Sequence, residues 1–354
     1  MQAFLRENEN LLKDQGYCFP DLQLNIKKEC RDKNGRFLIH KPENSEERNT
    51  IRDEGFQKLK ELADGYSNIV LLEEEIWQMA AKDKEFWKQV AEDFEKIGCQ
   101  LKVIVYLYRQ DLFVQSSWIQ NVQSNAVKET ENFQECLENG ALADFPLDYW
   151  DCLTGIAENI GKENLIVRVH EKEQLEGDEQ TIFSDFLHAI GLTLTEQYTR
   201  ESVKEDLHLN GNFIEIKRIL NSVPAYQKMN EFLCDPITLV NDHLSKDCKQ
   251  VDISLFAPGE QTAYLQRFEA GNRKTAQDFL DRADGQLFYE PVEEFPQWEI
   301  EPDAMYEDIL LFATAVFCKQ EQRMLDLKKS VQVIQDNLFY KVCRKVYKKI
   351  RYRK

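Results

Sequence analysis

The sequence predicts an α/β protein: a parallel sheet flanked by helices, with a helical C-terminal region. Three observations lead there. Three short runs are almost wholly apolar: "NIVLL" (68–72), "LKVIVYLY" (101–108) and "NLIVRV" (164–169). They lack the polar alternation of a half-solvated strand, as strands covered on both faces do. Helical patterns separate them, and strand–helix repetition implies parallel strands with helices on both faces. From Asn212 onward helical periodicity continues and no strand is evident.

The chain opens on "MQAFLRENENLL", whose Met1, Phe4, Leu5, Leu11 and Leu12 share one helical face. No capping residue precedes it, so it reads either as a frayed terminal helix or as one whose lead-in is missing. After the first strand, "IWQMAAKDKEFWKQVAEDFEKIG" predicts one helix stopped at Gly98. A helix from about Leu112 and another in "LDYWDCLTGIAENIG" follow the second strand. After the third, "DEQTIFSDFLHAIG" has an Asp start and a Gly stop. "TAYLQRFEAGNRKTAQDFL" predicts one long helix that tolerates Gly271 at modest cost. The Pro-rich, acidic "GQLFYEPVEEFPQWEIEP" reads as an extended linker, and "AMYEDILLFATAVFCKQEQRML" as a further helix. The expected organisation is an α/β core over 1–211, helices of the same domain over 212–290, a linker over 291–304, and a helix with a basic tail over 305–354.

Composition excludes several classes. The net charge of −18 argues against general nucleic-acid binding. Nine cysteines without a C-x-x-C pair read as reduced thiols of a cytoplasmic protein, and with 5 His a zinc site is not expected. No apolar run reaches the length of a membrane span. The final "YKVCRKVYKKIRYRK" (340–354) is purely basic. It reads either as an amphipathic segment touching anionic lipid at the inner membrane face, or as a solvated tail.

In open parallel sheets, ligands bind beyond the carboxyl ends of the strands. Three exits are legible. The second carries Arg109, a fixed cation with a planar fork of donors suited to phosphate, and Ser117 eight residues on, next to Ser116. Arg109 can equally pair with Asp111. The first exit carries Glu73, Glu74 and Glu75, where a carboxylate can take a proton from an acceptor hydroxyl, or simply favour the helix dipole. The third carries His170, a second candidate base or a surface residue. Neither G-x-x-x-x-G-K-[ST] nor G-x-G-x-x-G is present.

With these segments in order, the chain resembles bacterial P-loop sulfotransferase-like proteins, which transfer a sulfuryl group from 3′-phosphoadenosine 5′-phosphosulfate (PAPS), often to glycans. "MQAFLRENENLLKDQGYCFP" looks like the helix after that family's phosphosulfate loop. "VIVYLYRQDLFVQSSWIQ" looks like its strand and helix for the 3′-phosphate, with Arg109 and Ser117 at the family spacing. "LDYWDCLTGIAENIGKENLIVRVHEKEQLEGD", "TIFSDFLHAIGL" and "LQRFEAGNRKTAQDFLDRADGQLF" resemble the segments that follow, so the likeness runs to about Pro291. The family's G-x-x-K-[ST]-G-T-T loop, with the strand leading into it, has no counterpart here. The resemblance therefore implies an N-terminally truncated P-loop-type fold with a gap in its sheet, and weak or no PAPS binding by these residues alone. For the intact protein it implies in-line attack of an acceptor hydroxyl on sulfur, without a metal. Glu74 would be the first choice of base, followed by Glu73 and His170, while Arg109, Ser117 and Ser116 would hold the nucleotide. The alternatives are a non-catalytic glycan- or nucleotide-binding module, and a nucleotide kinase, for which Walker and Mg²⁺ motifs are missing.

Overall fold

The structure, a computed structural model, describes residues 1–26, 33–39, 45–83, 85–124, 129–140, 146–200, 211–223, 254–293 and 295–336, with a few positions beyond. It is a mixed α/β protein with two short parallel sheets. The first joins β1 (Tyr17–Cys18) to β2 (Asn68–Ile69), and the second joins β3 (Val103–Leu107) to β4 (Leu165–Val169). The register is Tyr17 opposite Asn68 in one and Val103 opposite Leu165 in the other. The predicted second and third strands appear within two residues of their expected bounds. β1 carries too short an apolar run to be seen in sequence.

The two ribbons share both of their cores. Ile69, Leu71, Val103, Val105 and Val167 face one apolar cluster, together with Leu153, Ile156 and Ala276. Val70, Leu72, Ile104 and Tyr106 face the other, with Phe4, Leu5 and Phe186. Alternate residues enter opposite clusters, as period-two strands require. Tyr108 lies within electrostatic range of Glu74. Trp77, in the helix that follows β2, meets Tyr149 edge-on at 6.0 Å, and Tyr149 Oη donates to the Tyr108 carbonyl at 2.5 Å. The carboxyl ends of β2 and β3 therefore open on one rim.

Asn68 and Val70 turn their amides to β1, and Leu107 turns its carbonyl to β4 through His170 N. By alternation, the main-chain groups of Ile69, Leu71, Ile104 and Tyr106 point away from both ladders, and none has a main-chain partner among the described residues. Among the described residues, each two-stranded ribbon thus has an open edge.

The first core face is covered by α3 (Ser45–Ala63), α4 (Ile76–Lys82), α5 (Phe86–Lys96), α8 (Tyr149–Ile160) and α12 (Glu269–Leu280). The second is covered by α1 (Gln2–Glu7), α2 (Glu9–Asp14) and α9 (Ile182–Ala189). The N-terminal helix is not frayed. Phe4 and Leu5 are fully buried, and Phe4 stacks on Phe183 and Tyr198 at 4.6 and 5.7 Å. It is broken at Asn8, whose amide donates to Phe4 O and Thr199 O at 2.8 Å and accepts from Thr199 N at 2.7 Å.

The helix expected over 76–98 is two helices. Asp83 adopts extended backbone and its carboxylate accepts from Glu85 N at 3.1 Å, a local alternative to the helical ladder. The helix expected over 262–280 divides into α11 (Glu260–Gln266) and α12. Gly271 sits inside α12 because a Cβ there would stand 2.9 Å from Asp148 Oδ1, the cap of α8. The Asp start expected for α9 gives way to Thr181, which exchanges capping bonds with Ser184.

α6 (Gln110–Gln123) and α7 (Phe133–Glu138) follow β3, α10 (Asn212–Ser222) lies further on, and α13 (Pro302–Asp336) closes the described chain. The chain forms two compact units. One holds residues 1–117, 133–206 and 256–295; the other holds 118–132, 207–255 and 296–354. The division is not sequential, because residues 256–295 stay with the sheets. The basic tail 340–354 lies largely outside the described residues. No described helix is long and apolar enough to cross a membrane.

Candidate functional site

β2 ends at Ile69, and the loop from Lys33 closes on the extended residues that follow it, up to Leu72. Asn34 Nδ2 donates to Val70 O at 2.9 Å, Asn34 Oδ1 accepts from Leu72 N at 2.8 Å, and Gly35 N donates to Leu72 O at 3.2 Å. Only glycine fits this approach, since a Cβ at position 35 would come within 2.9 Å of Glu73 Cβ. The loop seals the Glu73 side chain completely. Its Oε1 accepts from Glu75 N at 3.0 Å and lies 3.8 Å from Lys33 Nζ and 3.6 Å from an Arg36 nitrogen. Its Oε2 is buried without a hydrogen-bond partner. Burial pushes the Glu73 carboxyl above the ordinary carboxylate range, against the pull of the Glu75 amide and the two cations. Burial also works against the charge of Lys33, but Glu74 and Glu73 outweigh it and hold that ammonium above its usual value.

Glu74, the first choice from sequence, is 75% exposed and meets Lys33 at 3.2 Å. Glu75 pairs with Arg36 at 2.5 Å. Of the three acids, Glu73 alone has the buried, proton-retaining environment of a general base. Its neighbours Lys33 and Arg36 escaped the sequence reading because they lie about forty residues upstream, in a segment without periodicity.

At the third exit, His170 donates its backbone N–H to Leu107 O at 2.8 Å, and its ring stacks on Tyr108 at 4.1 Å and 17°. Burial lowers its pKa, so the imidazole is neutral at neutral pH. Tyr108 is 40% exposed, and burial, then Glu74, raises its phenol pKa. Glu73, Tyr108 and His170 thus mark three successive exits of the rim.

Arg109 takes the pairing alternative. Nε and Nη2 donate to the two oxygens of Asp111 at 2.8 and 3.1 Å, and Nη1 donates to the carbonyls of Glu290 and Pro291, each at 3.1 Å. Gln261 Nε2 adds a third donor to Asp111 at 2.5 Å. Arg109 is 8% exposed and Asp111 fully buried. Ser117 is buried and Ser116 half-buried on the same helix. The guanidinium therefore spends its fork on a structural lock.

The lock holds down the segment 284–291. Buried Glu171 accepts from Tyr289 N at 2.8 Å and Glu290 N at 3.3 Å, and Arg282 Nη1 donates to Leu287 O at 2.8 Å. Leu287 is thereby buried in the first core. What sequence reads as the start of a linker is, up to Pro291, a fixed strap across the β3 and β4 exits. A shallow hollow of about 510 Å³ between α8 and α12 contains none of these rim residues.

No protein-family model matches the chain, and no solved structure matches it. Among curated proteins, it is similar to an uncharacterized protein of Archaeoglobus fulgidus, 25% identical over 224 residues. That match covers 60% of this chain and 57% of the archaeal protein, so the chain spans little more than half of that relative.

Proposed function

We propose that the chain is a PAPS-dependent sulfotransferase-like protein with a P-loop-type sheet, working at the rim where β2, β3 and β4 end. The observation that carries this reading is Glu73: a sealed carboxylate with a raised pKa, one oxygen unpartnered, beside Lys33 and Arg36 at a strand exit. With the Lys33–Gly35 loop drawn back to uncover Glu73, an acceptor hydroxyl, of a glycan by family resemblance, gives its proton to Glu73 and its oxygen attacks sulfur. The bond between sulfur and the nucleotide's bridging oxygen breaks, and adenosine 3′,5′-bisphosphate leaves. Such transfer depends on positioning and charge stabilisation rather than on covalent help.

In this reading the nucleotide's 3′-phosphate goes to Arg109 and Ser117. To accept it, Nη1 of Arg109 must let go of the Glu290 and Pro291 carbonyls, so nucleotide binding and release of the strap are one event. That same closure favours a second reading, a binding module without turnover.

Calorimetry with adenosine 3′,5′-bisphosphate and a PAPS hydrolysis assay separate the two. Both are run on the protein itself and on a version fused at its N-terminus to a strand and a G-x-x-K-[ST]-G-T-T loop. The first reading expects binding and turnover in the loop-bearing version, binding weakened by Ser117→Ala, and turnover but not binding lowered by Glu73→Gln. Binding without turnover supports the module. Absence of binding in both versions removes the nucleotide from the account.

A further inference from the structure

α13 runs for 35 residues, and its sequence carries a heptad repeat. Leu310, Phe317, Met324 and Val331 recur seven apart, at a positions. Tyr306, Ala313, Gln320, Leu327 and Ile334 recur seven apart, four residues before the next a position, at d positions. This 3.5-residue period is the seam of a left-handed coiled coil rather than the broader stripe of a helix lying on a globular core.

Among the described residues the seam is uncovered. Tyr306 is 73% exposed, Leu310 67%, Phe317 69% and Leu327 65%. The side of α13 that packs is a different one: Asp308 accepts from Asn212 of α10 at 2.9 Å, and buried Phe312 is at a c position. From Phe317 to Ile334 every residue is exposed. Helices in proteins draw most of their stability from a packed apolar stripe, and the seam from Phe317 to Ile334, about 26 Å from the helical rise, leaves that term unused.

We propose that α13 pairs with α13 of a second copy as a two-stranded antiparallel coiled coil. The flanking charges choose the direction. In a parallel pair, Arg323 at g would face the partner's Lys328 at e, a repulsive contact made twice. In an antiparallel pair with Met324 opposite the partner's Leu327, Glu321 at e faces the partner's Lys328, an attractive contact made twice by symmetry. Arg323 then faces the partner's Ser330. In that register Phe317 meets the partner's Ile334, and Gln320 meets the partner's Val331. Each Gln320 amide so placed against a valine costs some affinity.

Sedimentation equilibrium of the full chain, from micromolar to near-millimolar concentration, tests this. The wild type is expected to be a dimer in mass. Leu327→Glu, on the seam, is expected to weaken it at least about tenfold, as burying an unpaired charge does. Val333→Glu, equally exposed but at a c position, should leave the mass unchanged. Lys328→Glu should loosen the dimer about two- to fivefold, since it sets two carboxylates against each other. Circular dichroism of each variant checks that the helices persist. A monomer throughout, an oligomer larger than two, or a dimer indifferent to Leu327→Glu overturns the proposal. A dimer tightened by Lys328→Glu overturns the antiparallel pairing.

Discussion

Arg109 and Glu73 show how one residue's surroundings decide between roles that sequence leaves open. Asp111, two residues from Arg109, is fully buried and accepts from Arg109 and Gln261, so the guanidinium beside it is already claimed. Removing one partner of such a pair costs about 3–5 kcal/mol, because the other is left buried and charged. Arg109→Ala should therefore lower the melting temperature sharply even without nucleotide. An unchanged melt would mean that the lock contributes nothing. Glu73 predicts a pH signature. Its folded pKa is raised, so its favourable contribution is complete below the ordinary carboxylate range and is lost as pH climbs through the raised value. Urea melts across this range should show wild type losing stability relative to Glu73→Gln as pH rises; a constant difference would mean an unperturbed carboxyl. Sequence placed Arg109 and the three acids at strand exits. It could not rank Glu73 over Glu74, because the burial that separates them comes from Asn34 and Gly35, far away in the chain.

At the scale of elements, the buried strands were legible because Val103–Leu107 and Leu165–Val169 are apolar on both faces. The breaks at Asn8 and Asp83 were not, because periodicity carries no record of a side chain that competes for backbone bonds. The glycine inside α12 looks like a flaw in sequence and is a contact in the fold. Gly271→Ala should push α12 off the Asp148 cap and cost about 1–3 kcal/mol by overpacking, visible in a chemical melt, instead of giving the gain that alanine brings to an open helix. The open ribbon edges make a second prediction. The amides of Ile104 and Tyr106 should exchange with solvent much faster than those of Val105 and Leu107, which face β4. Equal protection would show that the β3 edge is paired.

For the whole molecule, the sheets, their shared cores and the rim fall within the unit that contains residues 1–117, 133–206 and 256–295. The apolar runs foretold this α/β core. They could not foretell that residues 284–291 would close over it, since that strap is held by Arg109 and Glu171 rather than by its own pattern. The central claim is that this rim receives the nucleotide of a sulfuryl donor and that Arg109 must exchange the strap for a phosphate. Hydrogen exchange of the loop-bearing chain, with and without adenosine 3′,5′-bisphosphate, addresses it directly. The account predicts slower exchange over 107–117 together with faster exchange over 289–291. Saturating nucleotide that leaves both segments unchanged would contradict it.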